Sequence, residues 1–229
     1  NTKIYEHFYV ARQPIFDKLG NTYGYELLFR NGAHKGVAEI NDQDFATMCV
    51  ATCGFMKSQE TIDQSKKIFI NFTENLVLEG APKGLPPTVT VIELLENIVP
   101  SEKLLEEIIN LKQEGYFFAI GDFEGTHFQN ELLDIADIIK VDILGKSFEW
   151  IKDIFEKIKS KNALKLAEKV DNREVLDLLK ELGFDLYQGF FFAKPENLRG
   201  RKLQSTQVSK IRILQVIDDP TLATEKFVD

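Results

Sequence analysis

The stretch that decides the fold is Phe117-Phe118-Ala119-Ile120-Gly121-Asp122-Phe123-Glu124-Gly125-Thr126. Its first four residues form a short apolar run that is typical of a buried strand, and Asp122 follows just after that run, ahead of a glycine-containing loop. The apolar runs before and after this stretch also end at polar or charged residues. These runs predict a sheet whose strand ends carry the chemistry of the protein.

Apolar runs and helix-length segments alternate along most of the chain. The predicted strands are 8–15 and 22–30, which form a hairpin across the turn-rich link 17–21, then 68–70, 88–92, 116–120, 137–139, 163–167 and 184–187. The predicted helices are 42–58, 101–114, 128–135, 146–159 and 172–182, with Ser101 as an N-cap and Gly183 as a left-handed C-terminal cap. The pattern predicts an α/β fold, a TIM-like (β/α)8 barrel that starts with a hairpin.

The residues that end the predicted strands are all polar or charged. They are Asn71, Glu93, Asp122, Lys140, Glu168 and Gln188. In barrels of this kind the active site lies at the carboxyl ends of the strands, so these side chains are expected to converge on one rim. Such an unbroken series indicates a functional site rather than chance.

The residue types at this rim suggest metal-assisted hydrolysis of a phosphodiester. Lys140 would add a fixed positive charge, Glu168 would act as a base on a metal-bound water, and Arg30 would contact a phosphate. Oxygen donors of the kind that Mg²⁺ or Mn²⁺ prefers are expected from Glu26, Asn71, Glu93 and Asp122.

Composition limits the possible partners. The chain has 229 residues and a net charge of -8, which argues against DNA because DNA affinity depends on many Lys and Arg contacts to phosphates. No apolar run approaches the ~18 residues of a membrane helix, so a cytoplasmic protein without a membrane partner is predicted. Residues 1–200 are expected to form the barrel domain, and 201–229 a C-terminal helix or linker.

A family resemblance enters with Gly24-Tyr25-Glu26-Leu27-Leu28-Phe29-Arg30. This stretch resembles the signature of EAL domains, which hydrolyse or bind the bacterial messenger cyclic di-GMP. Further stretches resemble EAL landmarks in the family's order: Arg12-Gln13-Pro14-Ile15, Ile70-Asn71-Phe72-Thr73, Ile92-Glu93-Leu94-Leu95-Glu96, Ile139-Lys140-Val141-Asp142, Ala167-Glu168-Lys169-Val170-Asp171 (A-E-G-V-E in the family) and Tyr187-Gln188-Gly189-Phe190. The resemblance covers about residues 8–198.

The resemblance implies a fold and a set of roles. It implies a TIM-like barrel with an antiparallel first strand, cyclic di-GMP as ligand and a homodimer. It assigns the metal to Glu26, Asn71, Glu93 and Asp122, catalysis to Lys140 and Glu168, and ligand contacts to Gln13, Arg30 and Gln188. The chain also resembles two-domain signalling proteins in which an HDOD domain follows the barrel. A missing second domain after the tail, and other signalling proteins as partners, are therefore expected.

The chain departs from the family at the opening stretch. Active members read D-D-F-G-T-G there, and the first Asp bridges two metal ions; here Gly121 takes that place, and the loop that follows Phe123 is rebuilt. A milder departure is Leu27, which replaces the Ala of the signature. We therefore predict a degenerate EAL domain that binds ligand or protein with impaired catalysis. Two alternatives stay open: an active phosphodiesterase in which Glu124 compensates, and a protein-interaction scaffold that binds no nucleotide.

Overall fold

The computed structural model describes residues 8–31, 44, 47–48, 50–55, 63, 65–94, 98–125 and 130–198. The predicted boundary at residue 200 and the predicted tail helix lie outside these residues. Within them, one closed sheet with surrounding helices accounts for the predicted barrel.

Nine strands form the sheet. They are β1 (Phe8–Asp17), β2 (Thr22–Asn31), β3 (Lys67–Phe72), β4 (Thr90–Leu94), β5 (Phe117–Ile120), β6 (Ile138–Asp142), β7 (Leu164–Glu168), β8 (Leu186–Tyr187) and β9 (Glu196–Leu198). Strands β2 to β8 pair in parallel in chain order. Strand β1 closes the barrel because it pairs antiparallel with both β2 and β8, and it also pairs with β9. The predicted TIM-like barrel with an antiparallel first strand is confirmed.

The turn between β1 and β2 explains why the chain starts with a hairpin. The Asp17 carboxylate accepts hydrogen bonds from the backbone N–H groups of Leu19, at 2.9 Å, and Asn21, at 2.8 Å. Gly20 adopts a φ of 83°, which a glycine takes without steric cost. This local chemistry reverses the chain and sets β1 against β2.

Five α-helices can be given bounds within the described residues, and they lie between the strands. They are α1 (Glu74–Leu78), α2 (Glu102–Gln113), α3 (Asn130–Leu133), α4 (Phe148–Ile158) and α5 (Arg173–Leu182). Side chains cap four of them at their N-termini: Thr73, Ser101, Ser147 and Asn172. Ser101 and Gly183 cap helices as predicted. The sequence does not predict α1, because five residues show no helical period, and the predicted helix 42–58 contains a π-helical segment, Val50–Gly54.

The barrel interior is filled in two layers. The first, which we call the apolar layer, takes one residue from each of seven strands: Ile15, Phe69, Val91, Ala119, Ile138, Leu166 and Leu186. Each is at most 2% exposed. This layer packs the centre of the barrel.

The second layer follows from the two-residue period of a strand. Two positions further along β3 to β8, and two positions earlier on the oppositely directed β1, come the inward residues of what we call the polar layer. Strand β2 adds Glu26, which pairs with Gln13 in the register of the hairpin. The polar layer consists of Gln13, Glu26, Asn71, Glu93, Gly121, Lys140, Glu168 and Gln188. Three of these residues, Asn71, Glu93 and Lys140, lie inside strands rather than at their ends as predicted.

Candidate active site

A cavity of about 580 Å³ opens above the polar layer, within the range of about 300–1,000 Å³ that is usual for small-molecule sites. Seven of the nine predicted site residues line it: Gln13, Glu26, Asn71, Glu93, Asp122, Glu168 and Gln188. Lys140 is 1% exposed and contacts three of those seven. The backbone of Arg30 lies in β2, and its side chain is outside the described part of the chain.

Lys140 is the centre of the charge network. Its Nζ lies 2.5 Å from Oε1 of Glu93, 2.9 Å from Oε1 of Glu168 and 3.6 Å from Oε1 of Glu26. Burial lowers the pKa of Lys140, but the three carboxylates outweigh this and hold the pKa well above its usual value. Lys140 therefore stays protonated and acts as a fixed positive charge.

The carboxylates around Lys140 carry more negative charge than one ammonium balances. Burial raises the pKa of Glu93 and of Glu168, and Lys140 opposes this shift without cancelling it. Oε2 of Glu93 is buried and has no hydrogen-bond partner among the residues that the structure describes. Since a buried carboxylate oxygen without a partner is costly, the site is suited to a further cation.

Two amides orient Glu26. Nε2 of Gln188 donates to its Oε2 at 2.7 Å, and Nδ2 of Asn71 lies 3.4 Å from its Oε1. Gln13, by contrast, donates to the backbone carbonyl of Ala193 at 3.2 Å. The predicted ligand contacts Gln13 and Gln188 thus both have protein partners, and Gln188 positions an acid of the site.

Gly121 is the one position of the polar layer without a side chain. A Cβ added there would lie 3.0 Å from Oε1 of Glu93 and 3.2 Å from the carbonyl oxygen of Leu94. The next residue, Asp122, lines the cavity with a φ of 42°. The rim therefore keeps the second acid of the expected pair and lacks the first.

Three residues of the cavity lining could serve as ligands of a divalent ion. Glu26, Asn71 and the free oxygen of Glu93 offer the oxygen atoms that a hard cation prefers. Asp122, the residue after Gly121, adds a further carboxylate to the cavity lining. In the conformation described, no three His, Cys, Asp or Glu side chains of the described residues are arranged to hold a metal, since the acids converge on Lys140.

Residues 56–195, more than half of the chain, match the EAL domain family. The chain belongs to this family. Two curated relatives are each 32% identical: the uncharacterized protein YuxH of Bacillus subtilis, over 90% of this chain and 52% of the relative, and the cyclic di-GMP phosphodiesterase CdgJ of Vibrio cholerae, over 93% and 50%. The chain thus spans about half the length of the curated relatives it matches.

Solved EAL structures share the fold. Klebsiella pneumoniae BlrP1, in complex with calcium and cyclic di-GMP, aligns with a TM-score of 0.70 at 21% identity, over 85% of this chain and 57% of that chain. A standalone EAL protein from Vibrio cholerae O395 in its cyclic di-GMP-bound form aligns with a TM-score of 0.66 at 25% identity, over 84% and 94%. Among the described residues of this EAL domain, no helix is long and apolar enough to cross a membrane.

Glu124, the acid that would have to compensate for Gly121, is directed elsewhere in this EAL domain. Its carboxylate lies 2.9 Å from Nζ of Lys146, and its side chain is 58% exposed. Lys146 is held in turn, 4.6 Å from the ring centroid of Trp150. Glu124 does not line the cavity, so compensation requires it to leave this ion pair.

The sequence prediction did not include Lys169, a further residue of the cavity lining in this EAL domain. It lines the cavity, has a φ of 57° and forms an ion pair with Asp142. Partial burial lowers the pKa of Lys169, but Asp142, Asp122 and Glu168 raise it above its usual value. The signal was present in the sequence, because Lys169 stands where the family motif A-E-G-V-E has glycine.

Proposed function

We propose that this EAL domain binds cyclic di-GMP at the barrel mouth and that its hydrolytic activity is impaired. The proposal of impaired hydrolysis rests on Gly121. Seven of the eight positions of the polar layer present a polar or charged side chain, and the eighth is the position where a bridging carboxylate is expected. Without that carboxylate, two divalent ions ~3.5–4 Å apart would repel each other with less to offset the repulsion.

The cavity supports binding of a nucleotide. Apolar residues also line it: Leu27, Leu28, Phe29, Val50, Leu144 and Phe190. Phe190 is 64% exposed, so part of its ring can contact a flat base. Proteins similar to this chain are named as a cyclic di-GMP phosphodiesterase and as an EAL protein bound to cyclic di-GMP.

The residues of the polar layer, together with Asp122, divide the remaining tasks. Glu26, Asn71, Glu93 and Asp122 would hold one Mg²⁺ or Mn²⁺, which when bound polarises a phosphate oxygen. Lys140 would hold a fixed positive charge behind the acids of the site, since three carboxylates keep it protonated. Glu168 would accept a proton from the attacking water.

A second candidate is an active phosphodiesterase that opens cyclic di-GMP to the linear dinucleotide. One observation favours it: Lys140 and Glu168, the predicted catalytic pair, are in contact at 2.9 Å. It requires Glu124 to exchange Lys146 for the metal site. It predicts that Glu26→Ala and Glu168→Ala each abolish turnover.

Calorimetry and turnover assays separate these functions. Cyclic di-GMP is titrated into the protein with EDTA, Mg²⁺ or Mn²⁺, and linear product is measured under the same conditions. The proposal expects heat of binding and turnover several orders of magnitude below that of an intact EAL enzyme. Turnover comparable to the intact enzyme would establish the second candidate. Absence of binding heat in all three buffers would leave a protein-interaction scaffold.

A further inference from the structure

Lys169 occupies a backbone position that suits glycine better than lysine. Its φ of 57° is in the left-handed region, where a side chain is strained. The following residue is fixed on both sides: Val170 N–H donates to the Gln188 carbonyl at 2.9 Å, and the Val170 carbonyl accepts from Phe191 N–H at 3.0 Å. These two bonds hold the backbone next to Lys169, and a strained residue at a cavity is a candidate for a functional role.

The charge of the cavity lining gives such a reason. Of the described residues that line the cavity, five are acids and one is a base. The acids are Glu26, Glu93, Asp122, Glu168 and Asp171, and the base is Lys169. Lys140 is 1% exposed and is surrounded by three of these acids, so it offers little charge to the open cavity. An anionic ligand would be repelled by most of the ionisable groups that face it.

The ammonium of Lys169 can donate a hydrogen bond to a further partner. Asp142 is the acid to which it is ion-paired, and the Lys169 side chain is 53% exposed. An ammonium has three N–H donors, so donors remain after that contact. Asp142 lies at the end of β6, next to β7, and holds Lys169 at the edge of the cavity.

We propose that Lys169 binds a phosphate group of the cyclic dinucleotide and is an affinity-determining residue of this site. The inference rests on the proposed function, because it takes the dinucleotide as the ligand. It adds a source of positive charge that belongs to the chain itself, beside whatever a divalent ion contributes. Binding should therefore depend on Lys169 most strongly when divalent ions are removed.

Four variants test this role by calorimetry with cyclic di-GMP in EDTA and in Mg²⁺. Lys169→Gln should weaken binding about tenfold in EDTA, the effect of losing one charge-assisted hydrogen bond. Lys169→Arg should stay within about threefold of wild type, since it keeps the charge. Lys152→Gln, on the exposed side of α4, is the matched control and should change nothing. Equal affinity of wild type and Lys169→Gln, or equal weakening by Gln and Arg, would overturn the proposal.

Lys169→Gly separates binding from folding. Glycine adopts a φ of 57° without strain, so the melting temperature should be no lower than that of wild type. Affinity for cyclic di-GMP should nevertheless fall as in Lys169→Gln. A glycine variant that binds as tightly as wild type contradicts the proposal.

A different result would count against the proposed function instead. If wild type binds no cyclic di-GMP in either buffer, the proposed function is wrong, and the role of Lys169 is then decided with inorganic pyrophosphate. Binding of pyrophosphate by wild type that Lys169→Gln loses would support an anion-binding Lys169. Binding that the substitution does not change, or no binding at all, would reject it.

Discussion

The apolar layer and the polar layer of the barrel share seven strands, lie two residues apart along them and differ in what they contribute. In the apolar layer, Phe69 and its neighbours are almost fully buried and pack the centre of the barrel. In the polar layer, the ionisable side chains of Lys140 and of the acids around it are buried. The apolar layer stabilises the fold, whereas the buried ionisable groups of the polar layer lower its stability, as is common at functional sites.

The largest effect is expected in the apolar layer. Phe69→Ala removes a fully buried ring and should lower the free energy of unfolding by about 3–5 kcal/mol. Urea unfolding measures it. Leu19→Ala is the control, because that side chain is 87% exposed and should cost almost nothing. A loss below about 1 kcal/mol in Phe69→Ala would show that the apolar layer does not carry the packing.

The second largest effect is expected from substitution of Lys140, the central cation of the polar layer. Lys140→Met leaves three buried carboxylates without their counter-charge and should destabilise the fold by about 3 kcal/mol. The variant should regain stability when Mn²⁺ is added, because the ion replaces part of the lost charge. Thermal unfolding with and without Mn²⁺ gives both values. A variant as stable as wild type in EDTA would mean that the layer does not depend on Lys140.

A smaller effect is expected where the polar layer has its gap. Gly121→Asp and Gly121→Ala both place a Cβ 3.0 Å from Glu93, and each should cost about 1–3 kcal/mol without metal. With Mn²⁺ present, the Asp variant alone should recover, since binding stabilises the folded state. Titration of Mn²⁺ should show higher affinity in the Asp variant than in the Ala variant. Equal affinities would place the defect in the rebuilt loop.

The smallest effect is a difference in pH dependence. Burial raises the pKa of Glu93 from 4.5 to about 8, so the folded chain holds a proton that the unfolded chain releases in this window. Wild type should therefore lose stability relative to Glu93→Gln as pH rises from about 5 to about 8, by about 1 kcal/mol or more in EDTA. Glu131→Gln, an exposed carboxylate on α3, serves as the control. Parallel pH profiles for wild type and Glu93→Gln would show that the ionisation of Glu93 does not affect the stability of the fold.

Much of the fold could be predicted because it depends on local signals. The hairpin follows from the Asp17 turn and most strands from apolar runs. Strand β9 was not predicted, since three residues without an apolar pattern become a strand only by pairing with β1. Helix α1 was not predicted either, because its five residues are too few to show a helical period.

The composition of the site could be predicted, but its contacts could not. The resemblance and the strand ends together named Lys140 and three of the acids around it. Which oxygen each group contacts depends on distances across the barrel, and the direction of Glu124 depends on Lys146, 22 residues away in sequence. Lys169 was overlooked because its importance lies in a backbone angle and in the charge of its neighbours.

The contact between Gln188 and Glu26 also has a consequence for the order of folding. The two side chains are 162 residues apart in sequence, and β1 finds β8 and β9 over similar separations. Contacts of such long range form late and slow the search for the native state. During synthesis, β1 of the first hairpin has no partner on its other edge until β8 and β9 leave the ribosome. A chain interrupted before β8 would keep that hairpin's edge unpaired and open to association with other chains.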